Sequence, residues 1–300
     1  MPRKIVIIGS GGRLGAVLLR EWRARGDEVL GLNRALLDLA DFRQIRERLE
    51  PLEFDALVNC AALTNVDRCE REPEEAWRIN SGAVATLADI CTRKKARCVQ
   101  ISTDYVFDGT KREPYTETDE PRPISKYGES KLSGERCLHA VADRHLAVRV
   151  SWIFGPERAS FVDQILQRAL EQERVEAIAD KVSGPTYTLD AAVLLRPLVE
   201  DASIDGVVHL ANAGACTWQE YGQHALDCAA AAGLPLRARH VEPLALAEMK
   251  TFVARRPVYT PLSTAKLTQV TGRTPRPWQD AVDDYVRTHW APNFSNQRKA

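Results

Sequence analysis

Tyr127 and Lys131 stand four residues apart in ISKYGESKLSGE, the stretch from Ile124 to Glu135. On a helix that spacing puts both side chains on one face, so the ammonium can come near the phenol or near a group that both bind. Such a couple suits the reduction of a ketone: hydride arrives at carbon, the oxygen becomes negative, and the phenol donates its proton. A free phenol has a pKa of about 10, and a neighbouring cation lowers it by favouring the phenolate. Lys131 is the expected cation. Upstream, QISTDYVFDG ends an apolar run and delivers Ser102, Thr103 and Tyr105 to the same edge, where a hydroxyl can hold a carbonyl oxygen.

Hydride needs a donor, and the start of the chain offers a place for one. The first apolar run leads into Gly9-Ser10-Gly11-Gly12-Arg13-Leu14-Gly15, a G-x-x-G-x-x-G spacing followed by a helical pattern. Glycines there allow a tight turn and close backbone approach, so amides at the helix start can bind a pyrophosphate. At the end of the second run, where a carboxylate would bind the adenosine ribose and repel a 2′-phosphate, stand Asn33 and Arg34. An arginine can bind phosphate bidentately, which makes NADPH the expected cofactor and NADH the alternative. Asp38, in LLDLADF, either accepts from the adenine side or caps the next helix.

The elements that must position these residues alternate. KIVIIG, EVLGLN, DALVNCAA, ARCVQIS and HLAVRVSW read as strands, with helical spacing in RLGAVLLREWRARG, LADFRQIRERLE, EPEEAWRINSGAVATLADICTRKK and SKYGESKLSGERCLHAVADR between them. Pro73 with Glu74 and Glu75 marks a helix start. Continuous apolar strands alternating with amphipathic helices predict an α/β fold of Rossmann type, a doubly wound parallel sheet covered on both faces. Residues 1–155 form the expected dinucleotide-binding core. Residues 156–300 form mostly a smaller substrate-binding lobe, with elements near 185–212 returning to the core. In that lobe SFVDQILQRALEQE and TWQEYGQHALDCAAAAG read as helices, and VEAIA and GVVHLAN as short strands. The proline-dotted ARRPVYTPLSTAKL and TPRPWQDAVDDYV read as a loop-rich ending, and NFSNQRKA as a frayed tail.

Bulk composition narrows the partners. Basic and acidic residues number 41 each, which leaves no net field to favour nucleic acid or an anionic membrane. No apolar run approaches a transmembrane length or a secretory h-region, so the reading is cytoplasmic. Seven cysteines without C-x-x-C and six histidines without H-x-x-x-H indicate neither a disulfide framework nor a metal site.

Taken together, GSGGRLG, VNCAALTNVD, ISTDYVFDG, YGESK, VRVSWIFG and DKVSGPTYT resemble the extended short-chain dehydrogenase/reductases and, within them, the dTDP-4-dehydrorhamnose reductase family. The likeness runs from the first strand to RPWQDAV near residue 280. STDYVF with RVSW is much more specific than the glycine turn or Y-x-x-x-K, which the whole superfamily shares. The resemblance implies NAD(P)H-dependent reduction of the 4-keto group of a nucleotide-linked 6-deoxyhexose, dTDP-4-dehydro-L-rhamnose before others. It makes Thr103, Tyr127 and Lys131 the catalytic trio, with Tyr127 as acid and Lys131 also bonding the nicotinamide ribose. It sets Gly12, Arg13 and Leu14 under the pyrophosphate, Asp38 and Leu39 beside adenine, and Ala61, Ala62, Leu63 and Thr64 along the cofactor. Asn59 and Asn80 become structural supports. Val66, Thr103, Asp104, Tyr105 and Trp152 fall near the hexose, Pro185 and Thr186 in a loop over the nicotinamide, and Arg256 on the nucleotide side. A homodimer is compatible with the family; no metal is assigned.

Rival readings exist. A nucleotide-sugar 4,6-dehydratase would carry a glutamate after the Thr-Asp pair, where this chain has Tyr105. Epimerases share Y-x-x-x-K but typically lack STDYVF with SW. The regulatory beta subunit of methionine adenosyltransferase has a very similar DYVFDG and works as a binding partner, whereas Thr103, Tyr127, Lys131 and Trp152 together point to an active reductase.

Overall fold

The computed structural model describes residues 3–292 and 294. Its first half alternates as the apolar pattern predicts: β1 (Lys4–Ile8), α1 (Arg13–Ala24), β2 (Glu28–Leu32), α2 (Phe42–Leu49), β3 (Ala56–Asn59), α3 (Val66–Arg71), α4 (Pro73–Trp77), α5 (Ala83–Arg93), β4 (Arg97–Thr103), α6 (Lys126–Val141) and β5 (Leu146–Val150). Every residue of β3, β4 and β5 is buried, as expected of strands covered on both faces.

The second half contributes β6 (Ile153–Phe154), α7 (Phe161–Glu171), β7 (Val175–Ile178), β8 (Val182–Ser183), β9 (Thr186–Tyr187), α8 (Thr188–Glu200), β10 (Gly206–Leu210), β11 (Cys216–Thr217), α9 (Trp218–Ala231), β12 (Val241–Leu244), α10 (Ala265–Thr271) and α11 (Trp278–Tyr285). Six strands form the main sheet in the order β10-β5-β4-β3-β1-β2, all parallel. Because the order turns between β1 and β3, the connections leaving those strands diverge to opposite faces and open a crevice at the carboxyl edge.

Alternate side chains of the same strands build two cores. On one face Ile5, Ile7, Val58 and Val148 pack with Val17, Leu18 and Trp22 of α1 and Leu194, Leu195 and Leu198 of α8. On the other, Val6, Ile8, Leu57 and Cys98 pack with Ile45 and Leu49 of α2, Leu87 and Cys91 of α5 and Leu138 of α6. Each such leucine contributes about 1.5–3 kcal/mol by leaving water. A third core, rich in aromatic rings, joins α7, α9 and α11 in the smaller lobe.

Three departures from the sequence reading concern helices. The stretch from Pro73 to Arg93 is interrupted by a π-helical turn at Arg78–Gly82, which carries Asn80 and Ser81 inward. TPRPWQDAVDDYV is no loop: Ala281, Val282 and Tyr285 bury one side of α11, and the prolines that suggested a loop precede its first turn. The AKL that closes the other proline-dotted stretch likewise opens α10. The expected tail NFSNQRKA lies, apart from Phe294, outside the described residues. All seven cysteines are free thiols. Among the described residues no helix is long and apolar enough to cross a membrane.

Candidate active site

The crevice at the switch between β1 and β3 is a cavity of about 680 Å³. Gly9, Gly12, Arg13, Leu14, Asn33, Arg34, Asp38, Leu39, Ala61, Ala62, Leu63 and Thr64 all line it. Gly9 has φ +80, and a Cβ there would meet the Ala61 amide at 2.8 Å. Helix α1 starts at Gly12 with neither a side-chain cap nor an acid in its first turn, so its first amides and positive dipole end face the cavity. That is an anion site of the kind a pyrophosphate takes. Gly15 is corrected: it does not line the cavity, but lets α1 approach the turn, since a Cβ would stand 2.3 Å from the Gly9 carbonyl oxygen. The Arg13 guanidinium also departs from the expected role. It donates to the carbonyls of Ile153, Arg158 and Ala159, and so ties the glycine turn to the segment after β5.

At the far end, Asn33 accepts from the amides of Ala35 and Leu36, closing a turn that lifts Arg34 into solvent. Arg34 is exposed and makes no hydrogen bond or ion pair with the other described residues. The two options for Asp38 separate: Asp41 caps α2, accepting from Arg43 and Gln44, while Asp38 bonds the Ala40 amide and lines the cavity. Two asparagines brace the inner wall. Asn59 accepts from the Ala61 amide, and Asn80, on the π turn, grips both amide and carbonyl of Leu63 while donating to Ser130 of α6.

Tyr127 and Lys131 lie in the first turns of α6, capped by Ser125. Both are buried, and neither lines the cavity itself: Lys131 lies behind its residue Ile101, and Tyr127 packs near its residue Leu63. The Lys131 ammonium donates to the carbonyl of Ile101, a cavity residue, at 2.6 Å. Burial pulls its pKa down to about 8, opposed by Glu135 one turn further along α6. The expectation that Lys131 lowers the phenol is corrected, because the ammonium is aimed at a main-chain oxygen. Burial pushes Tyr127 well above the usual phenol range, while the Thr103 hydroxyl pulls the other way and Asp104 and Cys69 push further up. Tyr127 is thus held as a proton-bearing phenol, the form a proton donor needs.

Val66, Tyr105 and Tyr127 form one small cluster, with the Tyr105 ring edge-on to Tyr127 at 5.7 Å. Ser102 does not join them. Strand alternation turns it to the other face, where its hydroxyl meets Glu135 beside a buried Glu135–Arg149 ion pair of 2.7 Å. Asp104 is also reassigned: its buried carboxylate is enclosed by the hydroxyls of Thr103, Ser151, Ser183 and Thr260 and is not free to bind a sugar. Arg256 is likewise engaged by both oxygens of Asp67, at 2.9 and 2.7 Å, pinning the loop before β8's neighbour Val258 to α3 beside Val66.

Trp152 is held in the left-handed region, φ +47, a conformation that costs a non-glycine residue about 1–3 kcal/mol and clusters at functional sites. Its ring packs on Phe161, Trp218 and Tyr221. Phe161 and Trp218 in turn line a second cavity of about 710 Å³ with Arg168, Glu176 and Trp290. Trp218 Nε1 and Arg168 Nε are buried there without a hydrogen-bond partner among the described residues. Pro185 and Thr186 sit where β9 pairs with β6, the Thr186 hydroxyl donating to the Ser151 carbonyl.

Sequence reasoning missed several participants. Lys181, buried under Tyr105, stands in DKVSGPTYT with no spacing to mark it, and Thr260 lies 156 residues from the Asp104 it bonds. Cys60 lines the cofactor-sized cavity, its thiol pushed up to about 12 by burial.

The chain matches the RmlD substrate binding domain model over residues 3–290. It is 34% identical over 293 residues to a dTDP-4-dehydrorhamnose reductase of Mycolicibacterium smegmatis, covering 95% of this chain and 86% of that one. It is 33% identical over 285 residues to the spore coat polysaccharide biosynthesis protein SpsK of Bacillus subtilis, covering 95% and 97%. Among solved structures, a dTDP-4-dehydrorhamnose reductase from Bacillus anthracis in complex with NADP superposes with a TM-score of 0.88 at 28% identity, covering 95% of this chain and 99% of that one.

Proposed function

Because the chain belongs to the RmlD substrate binding domain family, we propose that it reduces the 4-keto group of a dTDP-linked 6-deoxyhexose with NADPH, converting dTDP-4-dehydro-L-rhamnose to dTDP-L-rhamnose. The observation that carries this reading is a buried Tyr127 packed near Leu63 of a dinucleotide-sized crevice, with Lys131 one helical turn along α6 and bonded to the crevice residue Ile101. NADPH fits the residues present. The open amides of α1 would hold its pyrophosphate, Arg34 its 2′-phosphate, and Asp38 and Leu39 its adenine end. When bound it supplies the hydride. Tyr127 supplies the proton to the oxygen that becomes negative, and Lys131, buried behind Ile101, would offer a cation to the nicotinamide ribose. NADH can serve where the 2′-phosphate contact is dispensable.

The ketone stands among Tyr127, Thr103, Tyr105 and Val66, which excludes water from one side of the ring. The nucleotide extends past Trp152 into the second cavity, which Phe161, Trp218 and Arg168 line. Arg256 acts at one remove, by holding its loop to α3 through Asp67.

Loss of NADPH absorbance on adding a 4-keto-6-deoxy nucleotide sugar tests the reading, across a panel of bases and with both nicotinamide cofactors. Tyr127→Phe is expected to remove most turnover while NADPH still binds. A fully active phenylalanine variant takes Tyr127 out of the mechanism, and no oxidation with any sugar on the panel refutes the assignment.

A further inference from the structure

At the amino edge of the main sheet, the end of the strands remote from the crevice, a cavity of about 440 Å³ opens where β1, β3, β4 and β5 begin. We propose that this cavity is a second anion site, and that it takes the phosphate chain of a polyanion carrying two or more phosphoryl groups.

Six cations line it: Arg3, Lys4, Lys94, Lys95, Arg97 and Arg144. Three acids share the lining, so six charges stand against three in a chain whose charges balance overall. Those acids are already committed. Glu200 pairs with Arg196 at 2.7 Å, Glu53 with Lys94 at 3.7 Å, and Asp55 accepts from the Lys4 amide at 2.9 Å. Among the described residues the other five cations of the cavity make no ion pair.

Cations collect at such an edge for an ordinary reason, since helices α5, α6 and α8 end there and C-terminal carbonyls attract positive charge. The arginines partly serve that purpose. Arg144 donates to the carbonyls of Cys91 and Thr92, Arg97 to those of Arg144 and Ile204, and Arg3 to that of Glu200. Carbonyl dipoles leave the net charge in place, however. Arg97 is 5% exposed with no carboxylate at ion-pair distance; burial pulls its pKa down to about 10, and Asp201 and Asp205 oppose it from farther off. Its Nε and that of Arg144 are buried without a hydrogen-bond partner among the described residues. A buried charge in this state is costly until an opposite charge meets it.

The lysines have no carbonyl to serve. Lys4 and Lys95 are exposed, and their ammoniums make no hydrogen bond to the other described residues. Lys95 also occupies the left-handed position that closes α5, with φ +58, its amide on the Thr92 carbonyl and the next amide on that of Cys91. Glycine takes that conformation without strain and lysine does not. A phosphate chain supplies what this set lacks, several negative charges and acceptor oxygens spread over a length that reaches buried guanidiniums and exposed ammoniums together. A single carboxylate would leave most of the charge unmet.

Sodium tripolyphosphate, titrated by calorimetry at fixed salt with NADPH present to fill the crevice, tests the site. Saturable binding at a single site is expected. Lys95→Gly removes a cation and relieves the strained residue, so it should fold at least as well as the parent, and it is expected to weaken tripolyphosphate about tenfold. Adding Lys4→Ala to Lys95→Gly is expected to bring the loss to about a hundredfold. Arg43→Ala removes an exposed charge of α2, outside the cavity, and should leave the Kd within about twofold. No saturable binding to the wild-type protein, or equal losses in Lys95→Gly and Arg43→Ala, overturns the proposal. ATP titrated in the same way separates two sources of the chain, tighter binding than tripolyphosphate assigning a nucleotide and weaker binding a free polyphosphate. The lysine comparison holds whether or not NADPH binds, so its failure and that of the reductase reading are read separately.

Discussion

Gly128 follows Tyr127 in the first turn of α6, and a single methyl group there should disconnect the phenol from its partners. A Cβ at this position would lie 2.2 Å from the carbonyl oxygen of Tyr105 and 2.9 Å from Cβ of Pro123. Neither obstacle is a flexible side chain that could swing away. Ordinary contact lies at 3.4–4 Å, so α6 must withdraw from the turn at Asp104–Val106 by roughly 1 Å. Tyr127 and Lys131 ride on α6, whereas Thr103 and Asp104 belong to β4 and that turn. A displacement of roughly 1 Å between reacting groups costs about a hundredfold in rate, near 2.7 kcal/mol of barrier. Overpacking itself costs about 1–3 kcal/mol of stability. Gly128→Ala is therefore expected to lower kcat about a hundredfold, to shift the urea midpoint down, and to weaken NADPH by no more than about tenfold, since Lys131 is the α6 residue proposed to contact the cofactor and none of the helix lines the cavity. Steady-state turnover of the 4-keto sugar, cofactor titration by fluorescence, and urea unfolding read the three quantities. A folded Gly128→Ala protein with kcat within about threefold of wild type would refute the claim that α6 and the turn are held in one working register.

Two further outcomes follow from exposed and half-buried charges. Arg34→Ala should weaken NADPH about tenfold or somewhat more, one charged contact at an exposed site, and leave NADH nearly unchanged; equal losses for both cofactors, measured as Kd at fixed salt, make Arg34 a bystander. Asp67, held down to about 2 chiefly by its bond to Arg256, contributes stability that is complete above its ordinary value of 3.8 and is lost as the pH falls towards 2. Asp67→Asn should remove that portion of the acid dependence, with thermal melts of the two proteins differing above pH 4 and converging below it; parallel curves throughout would show that the pair adds nothing.

Periodicity was enough for most of the first 150 residues, short α3 and the π turn at Arg78–Gly82 apart, because the longer strands and helices there bury a face that their own spacing announces. The runs IVII and ALV are apolar throughout, as strands sandwiched between two helical layers must be, and the glycine turn fell at the first strand–helix joint. In the smaller lobe the signal weakened. Strands of two residues, such as β6, β8, β9 and β11, have no period to detect, and α11 was hidden by prolines that in fact precede its first turn. Within the site, residues named by motif came together where main-chain geometry dictates the contact: the α1 amides, the Asn80 grip on Leu63, Tyr127 beside Val66 and Tyr105.

What the sequence determined alone was therefore the class of sheet, the place of the dinucleotide crevice, and the identity of a phenol and an amine on one helical face, because these follow from spacing within a single element. What only the tertiary structure decided was where side-chain protons and charges are committed. Asp104 is enclosed by hydroxyls from four separate segments, Lys131 is turned to the Ile101 carbonyl, Arg256 is taken by Asp67, and Lys181 is buried under an aromatic ring. Hydrogen-bond direction and burial depend on neighbours that are distant along the chain, and no local pattern encodes a partner 156 residues away.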